Sequence, residues 1–259
     1  MSCERRCLTR SLRRAGDGAR NPRRGVGHSE EGRAPGRRYW TRPRGVGPQG
    51  RAGGKEDVVE WTIEQAPDGV DPAHALLTGL VARVHSVPAE AVRIEATVRG
   101  RRARAGAAPV AVSLSRTAGW VAAACSGPGE PGSVGIDAEA WAPFRDSGTR
   151  AGSFADVALA AEERIWFRAA AGGSEADRLA ALLRTWVRKE AVLKALGTGF
   201  DTARGGLDPA AIVLGPPWDP PTCTSHPEVE LADHLAGGDD PVLVSTAHRA
   251  SGQASRQAD

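Results

Sequence analysis

An α+β fold is predicted by three features of the sequence. Alternating, β-rich segments stand at Val58–Ile63 and Ser133–Glu139. Apolar residues recur at helical spacing from Asp71 through His85, and again from Leu179 to Gly199. A Gly/Pro-rich stretch, Gly127–Gly132 (GPGEPG), parts the chain between them and marks the boundary of two halves. At 259 residues the chain has ample material for a hydrophobic core.

Residues 1–55 stand apart from this pattern. Arginine and glycine dominate, large aliphatic residues are almost absent, and no period of 2 or 3.6 survives. Such a segment cannot offset its own ordering entropy and is expected to be disordered. Its positive charge exceeds the +3 of the whole chain, so the remainder is acidic on balance. An arm for nucleic acid or a membrane surface is one reading of that charge. A solvated tail, or extra sequence from an upstream start codon, is simpler, since beyond Tyr39-Trp40 no aromatic residue is interleaved for base stacking. No apolar run follows the arginines, so the segment does not read as a secretory signal. No run of about eighteen apolar residues exists, so no membrane span is expected. Cys3, Cys7, Cys125 and Cys223 lack zinc-ligand spacing, and a reducing cytoplasm is the default compartment.

The halves are expected at 56–132 and 133–249, with 250–259 a frayed tail. Asp71-Pro72 reads as the N-cap and first residue of a helix buried through Ala75, Leu76, Leu80, Val81 and Val84. His74 and His85 beside it read as surface or structural histidines. Val92–Val98 and Ala111–Leu114 read as strands, the second leading into Ser115-Arg116-Thr117 at a hairpin tip and returning as Trp120–Ala124. Trp141 to Gly152 is loop-like, and Phe154–Ala171 resumes helical patterning, with Glu163 read as a solvated or capping residue. Leu207–Leu214 suggests a strand entered through Asp208-Pro209, and Val229–Leu231 and Val242–Ser245 a hairpin about Gly237–Asp240.

The chemistry gathers on two segments. In Leu179–Gly199 (LAALLRTWVRKEAVLKALGTG) the apolar stripe Leu179, Leu182, Leu183, Trp186 continues onto Glu190 and, one turn on, Lys194. A carboxylate on a core stripe requires a cation, either a neighbouring lysine or a metal. An i,i+4 Glu190–Lys194 ion pair is the plain alternative. In Ser133–Glu139 (SVGIDAE) Val134 and Ile136 point to one face, and Gly135, Asp137 and Glu139 to the other. Its carboxylates lie about 7 Å apart along the strand, within reach of one ion. If Glu190 joins them, three carboxylates converge; an all-oxygen set of that kind suits Mg²⁺ and phosphoryl chemistry. Mutual repulsion further predicts that removing Asp137 costs no stability.

VGIDAE followed by WVRKEAVLKALGTG resembles the paired signature of the 4'-phosphopantetheinyl transferases, G-[IV]-D-x-E and W-x-x-K-E-A-x-x-K-x-x-G. Val112–Trp120 (VSLSRTAGW) is similar to that family's S-H-S/T segment, with Arg116 in place of histidine, and Gly100-Arg101 to its G-K/R-P segment, with Arg102 in place of proline. The resemblance spans about residues 57 to 248 and is to the larger monomeric type that activates peptide and polyketide synthetases. It implies two similar α+β halves about a pseudo-twofold axis, with coenzyme A in the cleft between them. It implies Mg²⁺ on Asp137, Glu139 and Glu190, coenzyme A contacts from Arg101, Ser115, Arg116, Thr117, Asp137 and Lys194, and catalysis by Glu190 and Lys194. The expected reaction moves 4'-phosphopantetheine from coenzyme A to a serine of an acyl or peptidyl carrier protein. Arg116 and Arg102 also leave room for a weak or inactive coenzyme A-binding relative.

Overall fold

The structure is a computed structural model that describes residues 58–66, 69, 71–97, 100–130, 132–148, 151–169, 173–199 and 206–251. The tail expected to be disordered lies outside the described residues, as does 252–259. Strands and helices are mixed, as the sequence predicts.

Strand β1 (Val59–Gln65) pairs antiparallel with β6 (Trp120–Ser126), which in turn pairs with β5 (Val112–Thr117), giving a sheet in the order β1-β6-β5. Helix α1 (Ala73–Val84) covers one face of this sheet, burying Leu76, Leu77, Leu80 and Val81 against Val121, Ala123 and Cys125. Ala75 is exposed, so the buried stripe is rotated onto Leu77. The helix begins one residue later than expected, with Pro72 as its N-cap, while Asp71 accepts a hydrogen bond from the Ala73 N–H at 3.1 Å. A second sheet, β2 (Val92–Thr97), β3 (Gly100–Ala105) and β4 (Ala108–Val110), closes the far side of this core.

A third sheet is built on β7 (Gly132–Ala140), which pairs with β9 (Val242–Ala250), itself paired with β8 (Val229–Ala236). Ala250 therefore ends a strand rather than opening a tail. Between β7 and β8 lie α2 (Trp141–Arg145), α3 (Ala151–Ala158), α4 (Glu163–Ala169) and α5 (Glu175–Leu196). The expected loop at 141–152 thus begins with a helical turn that accepts Pro143 in its first three residues, where an amide donor is not needed. The helical pattern at 154–171 is broken at 159–162, where the Glu163 carboxylate takes the Ala160 N–H at 2.7 Å. Leu207–Leu214 forms a 3₁₀ turn at Pro209–Ala211, capped by Asp208, and contributes only a single bridge, Leu214 to Cys223.

The two three-stranded sheets on β6 and β9 face one another. Trp61, Ile63, Ala122 and Ala124 pack against Val134, Ile136, Ala138, Ala140, Val242 and Val244, while α1 and α5 cover the outer faces. Alanines along β6 allow this close approach. Cys125, on the α1 side of the same strand, is fully buried, which pushes its thiol up to about 12 and leaves it inert at neutral pH.

Candidate active site

Helix α5 starts on a capping box, in which the Ser174 hydroxyl accepts the Asp177 N–H and the Asp177 carboxylate accepts the Ser174 N–H, and stops on Gly197 in the left-handed conformation. Its N-terminal turns bury Leu179, Leu182, Leu183 and Trp186 against α3, and its C-terminal turns lie on β7. Gly135 makes that second contact possible. A Cβ at this position would collide with the Ala191 carbonyl oxygen and the Ala195 amide, so the backbones touch where a side chain would hold them apart.

Two residues further along the same face of β7 is Asp137, 2% exposed. Lys194 reaches it from α5: Nζ lies 2.8 Å from Asp137 Oδ1, donates to the Ile136 carbonyl at 3.0 Å, and stands 3.7 Å from Glu190 Oε2. One ammonium therefore serves two buried carboxylates. Lys194 is thus a cation partner for Glu190, as the i,i+4 spacing allows. Lys189 points elsewhere, pairing with Glu163 at 2.6 Å and donating to the Pro209 carbonyl at 2.9 Å, with both side chains fully buried. Burial pushes the Lys189 ammonium below the usual lysine range, against the opposing pull of the Glu163 charge. Glu163 is thus a buried anchor, also accepting the Leu214 N–H at 2.9 Å, rather than a solvated residue.

Edge strand β5 completes the cluster from the first half. The Ser115 hydroxyl donates to Asp137 Oδ1 at 2.7 Å, and the Thr117 hydroxyl to Glu139 Oε2 at 2.7 Å. Ser113 Oγ and Thr117 Oγ1 accept the Ile136 and Ala140 amides at 3.1 and 3.2 Å, so three alternate hydroxyls fasten β5 to the outer edge of β7. This corrects the expected hairpin: Ser115, Arg116 and Thr117 lie within the strand, and the tip is Ala118-Gly119. Alternation then sends Arg116 to the opposite face, where its Nε and Nη2 donate to the two carboxylate oxygens of Asp71 at 3.3 and 3.0 Å. That grip holds the Asp71 carboxyl below its usual range, with a smaller contribution from the Arg101 charge.

The predicted residues accordingly form two groups. Ser115, Thr117, Asp137, Glu139, Glu190 and Lys194 meet at the seam of β5, β7 and α5, while Arg116 and Arg101 lie about Asp71. The donors at the seam suit Mg²⁺ in kind, being carboxylate and hydroxyl oxygens without thiolate or imidazole. Among the described residues, however, no three carboxylates, imidazoles or thiols gather as a metal site: Lys194 lies between Asp137 and Glu190, and Thr117 holds Glu139. Asp71, Ser113 and the closeness enforced at Gly135 are what sequence reasoning missed at the site. Their only signals were period-two placement of Ser113 and Gly135 with known site residues and the capping position of Asp71.

Similarity to known proteins follows the same lines. Residues 133–237 match the family model described as the 4'-phosphopantetheinyl transferase superfamily. No curated protein matches the chain. Among solved structures, a holo-(acyl-carrier-protein) synthase from Bacillus anthracis str. Ames in complex with CoA (3',5'-ADP) is 17% identical, over 46% of this chain and 96% of that one, with a TM-score of 0.33. A Chronobacterium ammoniagenes ACPS-CoA complex is 23% identical, over 46% of this chain and 97% of that one, with a TM-score of 0.31. The segment that matches the 4'-phosphopantetheinyl transferase superfamily carries β7, α5 and all three acidic residues of the seam.

Proposed function

We propose that this protein transfers the 4'-phosphopantetheine group of coenzyme A to a serine hydroxyl of an acyl or peptidyl carrier protein, releasing adenosine 3',5'-bisphosphate. The observation that carries the reading is the seam cluster: a lysine shared by Asp137 and Glu190, roofed by Ser115 and lying within the segment that matches the family. Such a site offers a cation for a phosphate oxygen and a carboxylate for a proton in adjoining positions.

In the reaction the serine oxygen forms a bond to the phosphorus bearing the pantetheine arm, and the bond from that phosphorus to the bridging oxygen breaks, leaving the nucleotide with the electron pair. Glu190 takes the serine proton. Lys194, already held at the seam by the Ile136 carbonyl, neutralises a non-bridging phosphate oxygen. Ser115 and Thr117 fix the directions of the Asp137 and Glu139 carboxylates through their hydroxyl donors. Asp137, Glu139 and Glu190 are the residues that would hold Mg²⁺, which would supply positive charge to the pyrophosphate and the leaving group. Arg116, on the far face of β5, and Arg101, on β3, would hold the 3'-phosphate end of the nucleotide, as a guanidinium fork favours phosphate oxygens. The halves on either side of the seam are read as the two similar halves of the larger, monomeric type.

Chromatography of the reaction tests this. Adenosine 3',5'-bisphosphate should accumulate only when coenzyme A, Mg²⁺ and an apo carrier protein are all present, and not when the carrier serine is alanine. Nucleotide release without any carrier would show a phosphohydrolase instead.

A further inference from the structure

The Arg116–Asp71 contact is unlike an ordinary surface pair in its placement. Arg116 sits between Ser115 and Thr117, the two hydroxyls that orient the seam carboxylates, so its backbone is fixed by the site itself. Asp71 meets it with both oxygens, on the Nε and Nη2 edge that a phosphate would also use. The carboxylate is braced by the Ala73 amide and lies where the Arg101 charge is felt. Yet the Asp71 side chain is 64% exposed and that of Arg116 30%, so the pair is open to solvent and exchangeable. An anion position is therefore built here and filled by the chain's own carboxylate.

We propose that Asp71 is an internal competitor for Arg116, one that the dianionic 3'-phosphate of a ligand displaces and a singly charged or uncharged group does not. The proposal rests on the reading of Arg116 as a 3'-phosphate contact. Its physical basis is charge: a phosphate monoester carries close to two negative charges at neutral pH and three acceptor oxygens, against one charge and two oxygens for a carboxylate. A ligand end without the phosphate leaves the pair closed and gains nothing from Arg116. Asp71 thus sets a threshold that keeps weaker anions off Arg116, while lowering the affinity for the phosphorylated nucleotide and leaving that for the dephospho form unchanged.

Titration of the full chain with coenzyme A and with 3'-dephospho-coenzyme A tests the idea in four proteins: unmutated, Asp71→Asn, Arg116→Ala and the double variant. Asparagine keeps an oxygen for the Ala73 amide while removing the charge. Asp71→Asn is expected to tighten coenzyme A about two- to fivefold, the range of an exposed ion pair, and to leave the dephospho form unchanged. In the Arg116→Ala background the same substitution should have no effect. If Arg116→Ala selectively weakens coenzyme A but Asp71→Asn leaves it unchanged or weakens it, the competitor role is overturned and the phosphate reading stands. If Arg116→Ala weakens both ligands equally, or neither ligand binds the unmutated protein, the phosphate reading fails and the competitor role fails with it.

Discussion

At the scale of single residues, Lys194 has the most to answer for electrostatically. Its ammonium is the cation found between Asp137 and Glu190, both less than a tenth exposed, and a carboxylate left alone at such burial is costly. Lys194→Met should therefore destabilise the protein by about 3 kcal/mol, a value set by the loss of one partner from a buried ion pair, read as a lower urea midpoint. Midpoints unchanged within error would mean that the carboxylates are relieved some other way. The same geometry reverses an expectation drawn from repulsion alone. Asp137 is bound by Lys194 and by the Ser115 hydroxyl, so its removal takes a partner from each instead of relieving strain. The meeting of Asp137, Glu190 and Lys194 was legible because a charge at a core position of a strand or helix is anomalous in the sequence itself. The direction of Arg116 was not. Placing it at a hairpin tip discarded the period-two rule, which would have sent it away from Ser113, Ser115 and Thr117 had the strand been drawn to its full length.

At the scale of elements, the contact between β7 and α5 decides whether the site exists. Gly135 lets the helix backbone onto the strand, and the residues on the neighbouring turns are Glu190 and Lys194. Gly135→Ala must push α5 outward, because the obstructing atoms are backbone atoms that no rotamer change can clear. The expected result is destabilisation of about 2–3 kcal/mol and a loss of transfer larger than the loss of folded protein, checked by comparing thermal melts with activity per folded molecule. A variant with native stability and native activity would show that the contact is looser than described. Helix α5 was legible to within a few residues because its stripe is long and Gly197 ends it. Strand β3 was hidden for an opposite reason. In GRRARA the inward residues are Ala103 and Ala105, too small to make an apolar signal among arginines. The break between α3 and α4 depends on Glu163, whose partners Lys189 and Leu214 are distant in sequence and so could not be read from the segment alone.

At the scale of the whole molecule, the sheets built on β6 and β9 share a core. Trp61, Ile63, Ala122 and Ala124 from one sheet bury the inner face of β7 and β9, and β5 lends its hydroxyls to the β7 edge. The acidic residues lie in the segment that matches the family, but the hydroxyls orienting two of them come from outside it. A complete site therefore needs residues from both sides of the Gly127–Gly132 stretch. The proposed activity of this seam is transfer of phosphopantetheine onto a carrier serine. Intact-mass measurement of an apo carrier protein, incubated with the full chain, coenzyme A and Mg²⁺, tests it most directly. The account predicts a gain of about 340 Da, the mass of the transferred group, that disappears when the carrier serine is alanine or when Asp137 of this chain is asparagine. A carrier of unchanged mass, with coenzyme A bound by a folded protein, would contradict it.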